Sequence, residues 1–202
     1  MIRNIIFDFG SVLVDWNPHH LYDSYFNDPE KTEFCLENVC PYDWNATVDA
    51  GRSSQDAVAE RIGLYPGWEK EIRMYFGQWI GMMTGQIPGM ESVVRNLKER
   101  GYRLFGLSNW SAETFPLIVQ DTKHYPVFRL LDGYVLSGEE HCIKPDERIY
   151  RILLDRFALK PEECLFIDDN PKNIEAARAL GIHGLVFTGV EQLKMDLRAV
   201  LQ

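Results

Sequence analysis

Ile5-Ile6-Phe7-Asp8-Phe9-Gly10-Ser11 is the stretch that decides the fold. Three apolar residues run without alternation into a carboxylate. Such a run reads as a strand buried on both faces, its carboxyl end opening into a site. Two segments repeat the pattern: Leu104-Phe105-Gly106-Leu107 stops on Ser108-Asn109, and Leu165-Phe166-Ile167 stops on Asp168-Asp169-Asn170. Around them, strands are expected at 3–9, 102–107, 133–136, 164–167 and 183–187. Helices are expected at 89–100, from Ser111, and at 146–157, 171–180 and 190–201. Strands alternating with helices imply an α/β fold, a parallel sheet covered by helices on both faces in three layers.

The texture changes between residue 16 and residue 87. Asn17-Pro18 is a helix start, with Asn at the cap and Pro at the first helical position. Helices are expected near 19–27, 30–38, 53–63 and 67–82, the third capped by Ser53 or Ser54, and no strand. Trp16, Tyr22, Tyr25, Phe26, Phe34, Tyr42, Trp44, Tyr65, Trp68, Tyr75, Phe76 and Trp79 crowd this stretch. They read as the core of a small helical bundle, with Trp44 and Asn45, in a loop after Pro41, as candidates to line a substrate pocket. The expected organisation is a core of 1–15 and 88–202, with 16–87 an insert covering the carboxyl ends of the strands.

Composition narrows the function. The chain has 202 residues, 46% hydrophobic and 25% charged, with a net charge of −9. An acidic balance argues against nucleic acid or an anionic membrane as the main partner, since both want a basic face. An anionic small substrate remains open, because one divalent cation and one lysine can reverse the local field. No run approaches the length of a membrane span, and no signal peptide is read at the start, so a cytoplasmic protein is expected. Cys35, Cys40, Cys142 and Cys164 lack zinc-site spacing and are read as reduced, structural residues.

At a strand end, Asp8 either caps a turn or attacks a phosphoryl group to form a covalent intermediate. Asp168 and Asp169 either cap the helix after Pro171 or join Asp8 around a hard cation such as Mg²⁺, which takes oxygen ligands. Ser108 and Asn109 offer a hydroxyl, an amide and backbone N–H groups to phosphate oxygens. Lys144, beside Pro145, can balance the charge of nucleophile and phosphate.

In this order the four segments resemble the haloacid dehalogenase superfamily, along nearly the whole chain. The resemblance implies a Rossmann-like core with a helical cap of the C1 type after the first strand. It makes Asp8 the nucleophile and Ser108 the phosphate-binding residue of the second motif. Lys144 becomes the third-motif lysine, and Asp168 with Asp169 the acidic fourth motif. The Gly10 carbonyl is implied as a metal ligand, and Asn173 as support for the metal shell. Phosphatases of the superfamily usually carry a second aspartate two residues after the nucleophile; here that position is Gly10. The Asp-x-Gly-x-Val pattern resembles bacterial sugar-phosphate phosphatases, including those acting on α-D-glucose 1-phosphate. Asp15, His19 and His20 are candidates for the missing acid. The expectation is a Mg²⁺-dependent phosphatase of a small phosphorylated metabolite, with no obligate protein partner. The alternatives are a 2-haloacid dehalogenase using the same Asp8 and a non-catalytic phospho-ligand-binding protein.

Overall fold

The computed structural model describes residues 1–201. Strand β1 (Asn4–Phe7) is followed by a short β2 (Val14–Trp16) and five helices: α1 (His19–Phe26), α2 (Pro29–Phe34), α3 (Tyr42–Asp49), α4 (Ser54–Leu64) and α5 (Glu69–Gly77). Then β3 (Met83–Gln86) leads back to α6 (Met90–Glu99), β4 (Arg103–Ser108), α7 (Pro116–Val119), β5 (Gly133–Leu136) and α8 (Ser137–Glu140). The chain ends with α9 (Glu147–Arg156), β6 (Cys164–Asp168), α10 (Pro171–Ala179), β7 (His183–Val186) and α11 (Val190–Val200).

Five strands form one parallel sheet in the order β5-β4-β1-β6-β7. The chain builds outward from β1 to β4 and β5, then crosses back to β6 and β7 on the other side. The order therefore reverses at β1, and a parallel sheet opens a crevice at the carboxyl ends where that happens. Asp8, Ser108 and Asp168 all stand at this reversal.

Pleating sorts the strand residues into two layers of core. Ile5, Phe7, Leu104, Leu165 and Ile167 face one cluster; Ile6, Phe105, Leu107, Cys164 and Phe166 face the other. Helix α6 buries Met90, Val93, Val94 and Leu97 into the first, a stripe at helical spacing. Helix α9 buries Ile149, Tyr150, Leu153 and Leu154 into the second. Gly106 is required where it stands, because a Cβ there would collide with the Phe9 ring laid across β4.

The helical insert leaves and rejoins the core through an antiparallel pair, with Val14 opposite Gln86 and Asp15 opposite Gly85. Strand β3 was not expected: Met83-Thr84-Gly85-Gln86 has no apolar alternation, and its extended state comes from pairing with β2. Helix α3 replaces the loop expected at Trp44 and Asn45. The helix expected over 67–82 breaks after Gly77 into a 3₁₀ turn at Trp79–Met82. The one expected from Ser111 shrinks to Pro116–Val119, Ser111 Oγ instead closing a turn by accepting from Glu113 N–H at 3.1 Å. Ser53 does cap α4; the N-cap of α1 is Pro18 instead of Asn17, whose Oδ1 accepts from His19 N–H at 3.0 Å. All four cysteines are buried and free. Among the described residues no helix is long and apolar enough to cross a membrane.

Candidate active site

Asp8 follows β1 directly, its N–H donating to Ile167 O at 2.9 Å, so the neighbouring strand fixes its backbone. Its carboxylate is held from two sides. Ser108 Oγ, at the end of β4, donates to Oδ1 at 2.9 Å. Lys144 Nζ lies 2.8 Å from Oδ2 and 2.7 Å from Asp168 Oδ2. The Phe9 N–H also donates to Oδ1, at 2.6 Å.

Asp168 is fully buried and held in place by Asn170 N–H at 2.8 Å and Asn173 Nδ2 at 3.0 Å. The cap of α10 is Asn170, whose Oδ1 accepts from Lys172 N–H at 3.0 Å. The two aspartates before it are thus free of capping duty. One carboxylate oxygen from each of Asp8, Asp168 and Asp169 lies within 4.8 Å of the other two. Asn173 Oδ1 is buried beside them without a hydrogen-bond partner.

Burial raises the Asp8 carboxyl to about 7; Lys144 opposes the shift, and Asp168 and Asp169 add to it. Burial works against the charge on Lys144, but Asp8 and Asp168 outweigh it and hold the ammonium above its usual range. Asp169 is also raised, by burial and then by Asp168. Three carboxyls around one ammonium are a site short of positive charge.

A cavity of about 250 Å³ opens over Asp8. The core contributes Gly10, Ser108, Asn109, Trp110, Lys144, Asp169 and Asn173; the insert and its stem contribute Trp16, Tyr42, Asn45, Asp49 and Trp79. Asn45 therefore meets its expectation. Trp44 does not: its indole N–H donates to Ala57 O at 3.2 Å and its ring packs on Tyr75 and Phe76. Asn109 lines the cavity, and its carboxamide holds the lysine loop, donating to the Lys144 carbonyl at 3.1 Å and accepting from its N–H at 2.7 Å. One amide hydrogen is left over. Asp15, His19 and His20 lie outside the cavity lining. His20 Nε2 pairs with Asp15 at 3.1 Å and His19 Nδ1 with Asp23 at 3.1 Å, on the surface of the insert.

The family model for haloacid dehalogenase-like hydrolases matches residues 2–181. The chain belongs to this family. A sesquiterpene phosphatase of Aspergillus oryzae is 28% identical over 197 residues, 97% of this chain and 95% of that protein. A D-ribitol-5-phosphate phosphatase of Bacteroides thetaiotaomicron is 23% identical over 209 residues, covering 100% of this chain and 99% of its own. Haloacid dehalogenases of Burkholderia cepacia and a Moraxella strain match just under half of this chain. Among solved structures, a HAD-like hydrolase of Porphyromonas gingivalis superposes with a TM-score of 0.77 at 25% identity over 100% of this chain and 98% of that one. A B. thetaiotaomicron family enzyme in complex with magnesium and inorganic phosphate shares the fold, with a TM-score of 0.71 at 19% identity over 94% and 96%.

As a haloacid dehalogenase-like hydrolase, the chain departs from the phosphatase pattern at Gly10. A Cβ at Gly10 would meet nothing within 4 Å, so crowding does not impose the glycine. The residue the sequence reading missed is Asp49, a buried carboxyl facing the cavity from α3. The available signal was Asn45 and Asp49 at i, i+4, which put both on one face of a helix; a loop at that place hides the spacing.

Proposed function

We propose that this hydrolase is a Mg²⁺-dependent phosphatase that cleaves a small phosphomonoester through an aspartyl-phosphate on Asp8. The carrying observation is Asp8 itself, fixed by Ser108 and Lys144 at the carboxyl end of the central strand and inside an acidic trio. The all-oxygen donor set and the unpartnered Asn173 Oδ1 fit a hard divalent cation held by Asp8, Asp168 and Asp169. When bound, such an ion neutralises charge between the carboxylates and the phosphate and keeps Asp8 ionised. Ser108 Oγ and Lys144 Nζ, both directed at Asp8, are the donors beside a phosphoryl group moving onto it. The insert, residues 16–87, acts as the cap that selects the leaving group. Four buried free thiols suit a reducing compartment such as the cytoplasm.

A hydroxylated leaving group, a polyol or sugar, suits the cap side of the cavity. Trp16 Nε1 and Trp79 Nε1 are buried donors without partners, and Asn45 Oδ1 is a buried acceptor without one. All three residues line the cavity, and a hydroxyl seated against them, with a small adjustment of the insert, would give a partner that an apolar group would not. A 2-haloacid would bring a carboxylate into a cavity where, among the described residues, the one cationic lining residue, Lys144, already serves two aspartates.

The test is phosphate release from a panel of polyol, sugar and other small phosphomonoesters, with Mg²⁺ and with EDTA. Turnover with Mg²⁺ that is lost in EDTA and in Asp8→Asn is expected. Release that persists in pure Asp8→Asn protein rules out the aspartyl-phosphate.

A further inference from the structure

An alcohol leaves phosphorus as an alkoxide unless something protonates the bridging oxygen as the bond breaks. Gly10 has no group to do so, and Asp15, His19 and His20 do not face the cavity. The carboxyls that do are Asp8, Asp49 and Asp169. Asp8 is taken as the nucleophile, and Asp169 belongs to the acidic trio. Asp49 remains.

Asp49 is the last residue of α3 and is 4% exposed. Its carboxylate accepts from Asn45 Nδ2 at 2.8 Å, one turn earlier, and from the Ser111 backbone N–H. Asp8 acts on it in the same direction as burial, and among the described residues no cation pairs with it. A buried carboxyl with no cation goes over to its neutral form, and burial raises this one to about 8. At neutral pH it holds a proton to give. Tyr42 also faces the cavity, but desolvation, Asp49 and Asp8 hold its hydroxyl above its usual range, which makes it a weaker donor.

The backbone ties Asp49 to the core. Its carbonyl accepts from Ser137 Oγ at 2.5 Å, and Ser137 Oγ in turn accepts from Trp110 N–H at 2.9 Å. At Gly51, with φ +93°, a Cβ would collide with the His141 ring, so the end of α3 sits flush on the core. Asp49 is thereby fixed to α8, which follows β5, and through it to the loop after β4, next to the β4 end that carries Ser108, and it shares one cavity with Asp8.

We propose that Asp49 is the general acid of this enzyme, supplied by the cap in place of the residue absent at Gly10; the proposal rests on the phosphatase reading. An Asp8 carboxylate oxygen bonds to phosphorus. The bond from phosphorus to the ester oxygen breaks, its electron pair stays on that oxygen, and the Asp49 proton moves there to release the alcohol. Water then attacks the phosphorus of the aspartyl-phosphate and gives a proton to the Asp49 carboxylate. The bond from phosphorus to the Asp8 oxygen breaks with its electron pair returning to Asp8, and phosphate leaves.

The test is Asp49→Asn, read in single turnovers with enzyme in excess, on glycerol phosphate and on p-nitrophenyl phosphate. The amide keeps the shape, and Asn45 can turn its free Oδ1 toward it. Alcohol release from the alkyl ester should fall roughly 10²–10⁴-fold. Release of the nitrophenolate, which is stable without a proton, should change by less than a few-fold. Gly10→Asp added to Asp49→Asn should recover at least part of the alkyl rate, since a Cβ at that position would meet nothing within 4 Å. An alkyl rate that does not fall, or an equal fall on both esters in folded protein, overturns the proposal. If the variant does not fold, the wild type carries the test: the alkyl-to-aryl rate ratio should drop about tenfold per pH unit above the titration of the acid. The groups facing Asp49 are Asp8 across the cavity, Tyr42 on its own helix and Tyr75 on α5, with Asn45 and Ser111 neutral. A ratio flat across that range overturns the proposal in this arm. Failure of the phosphatase reading looks different: the wild type then releases phosphate from neither ester.

Discussion

Replacing Lys144 by Met removes the cation between two buried carboxylates and keeps most of the side-chain volume. The Lys144 side chain is 1% exposed, with Nζ 2.8 Å from Asp8 Oδ2 and 2.7 Å from Asp168 Oδ2. Breaking a buried ion pair from one side leaves a charge that the interior solvates poorly, at a cost of roughly 3–5 kcal/mol. Two carboxylates lose a partner here, yet the two costs do not add. Asp8 stands at about 7 even with Lys144 beside it. Without the lysine it takes up a proton at neutral pH at little cost. Asp168 bears the rest, and it keeps Asn170 N–H and both contacts from Asn173. The loss should therefore fall at the low end, about 3 kcal/mol at pH 7.

In a chain of this size about 1 kcal/mol moves the melting temperature by about 2–4 °C, so a drop of about 6–12 °C is expected. The assay is thermal unfolding by circular dichroism in EDTA at pH 7 and again at pH 5. The gap from wild type should narrow at pH 5, below the titration of Asp8, where wild type also carries a protonated Asp8 and Lys144 has less negative charge to balance. Mg²⁺ should recover part of the loss at pH 7, because it supplies positive charge to the same oxygens. A melting temperature within about 2 °C of wild type at pH 7 refutes the reasoning. A gap equal at both pH values assigns the loss to packing instead, since Lys144 Nζ also lies 5.3 Å from the Phe166 ring centre.

The metal-free protein should lose stability as pH rises from about 5 to about 8. Asp8 and Asp49, at about 7 and about 8 when folded, stand above their ordinary 3.8. The folded chain therefore keeps protons that the unfolded chain has released, and each step up in pH through that window favours unfolding. Urea midpoints in EDTA across the window check this, and a flat or rising trend refutes it. Gly106→Ala should cost about 1–3 kcal/mol by overpacking against Phe9. Because Phe9 follows Asp8, the same variant should lower the rate of phosphate release. A variant that melts and turns over like wild type would show that the ring yields without moving Asp8.

The apolar strand runs made the sheet legible, because residues buried on both faces have no polar positions to obscure them. The same runs made Asp8, Ser108 and Asp168 legible, since each is where a run stops. Lys144 was legible only in company, as a lysine before a proline in a loop with no periodicity. The insert read less well. Its helices were found, but β3 is a strand by virtue of its partner, and Met83-Thr84-Gly85-Gln86 has no local pattern to announce it. The helix at Tyr42–Asp49 was hidden behind Pro41, which reads equally as a loop residue or a helix start. Trp44 was chosen for its aromatic ring and turned out to pack inward, whereas Asp49, five residues on, faces the cavity. Both residues are buried; which way each side chain packs decides which of the two can meet a substrate, and that direction is set by neighbours distant in sequence.

The division of labour between core and insert has a consequence for specificity. In the proposed mechanism the strand ends and the Lys144 loop carry the nucleophile and the groups that manage charge, and these act on the phosphoryl group, which every phosphomonoester shares. In the same mechanism Asp49 and the unpartnered Trp16, Trp79 and Asn45 act on the other half of the substrate. An acid at position 10 would sit on the core and serve any leaving group of tolerable size. An acid on α3 reaches the bridging oxygen only when the leaving group is seated against the insert that recognises it. Binding energy from the hydroxyls of a correct leaving group would then be spent on placing that oxygen against Asp49, raising the rate rather than only the affinity. Truncating the leaving group should consequently lower the rate of alcohol release and not only weaken binding, a split that the same single-turnover measurements resolve.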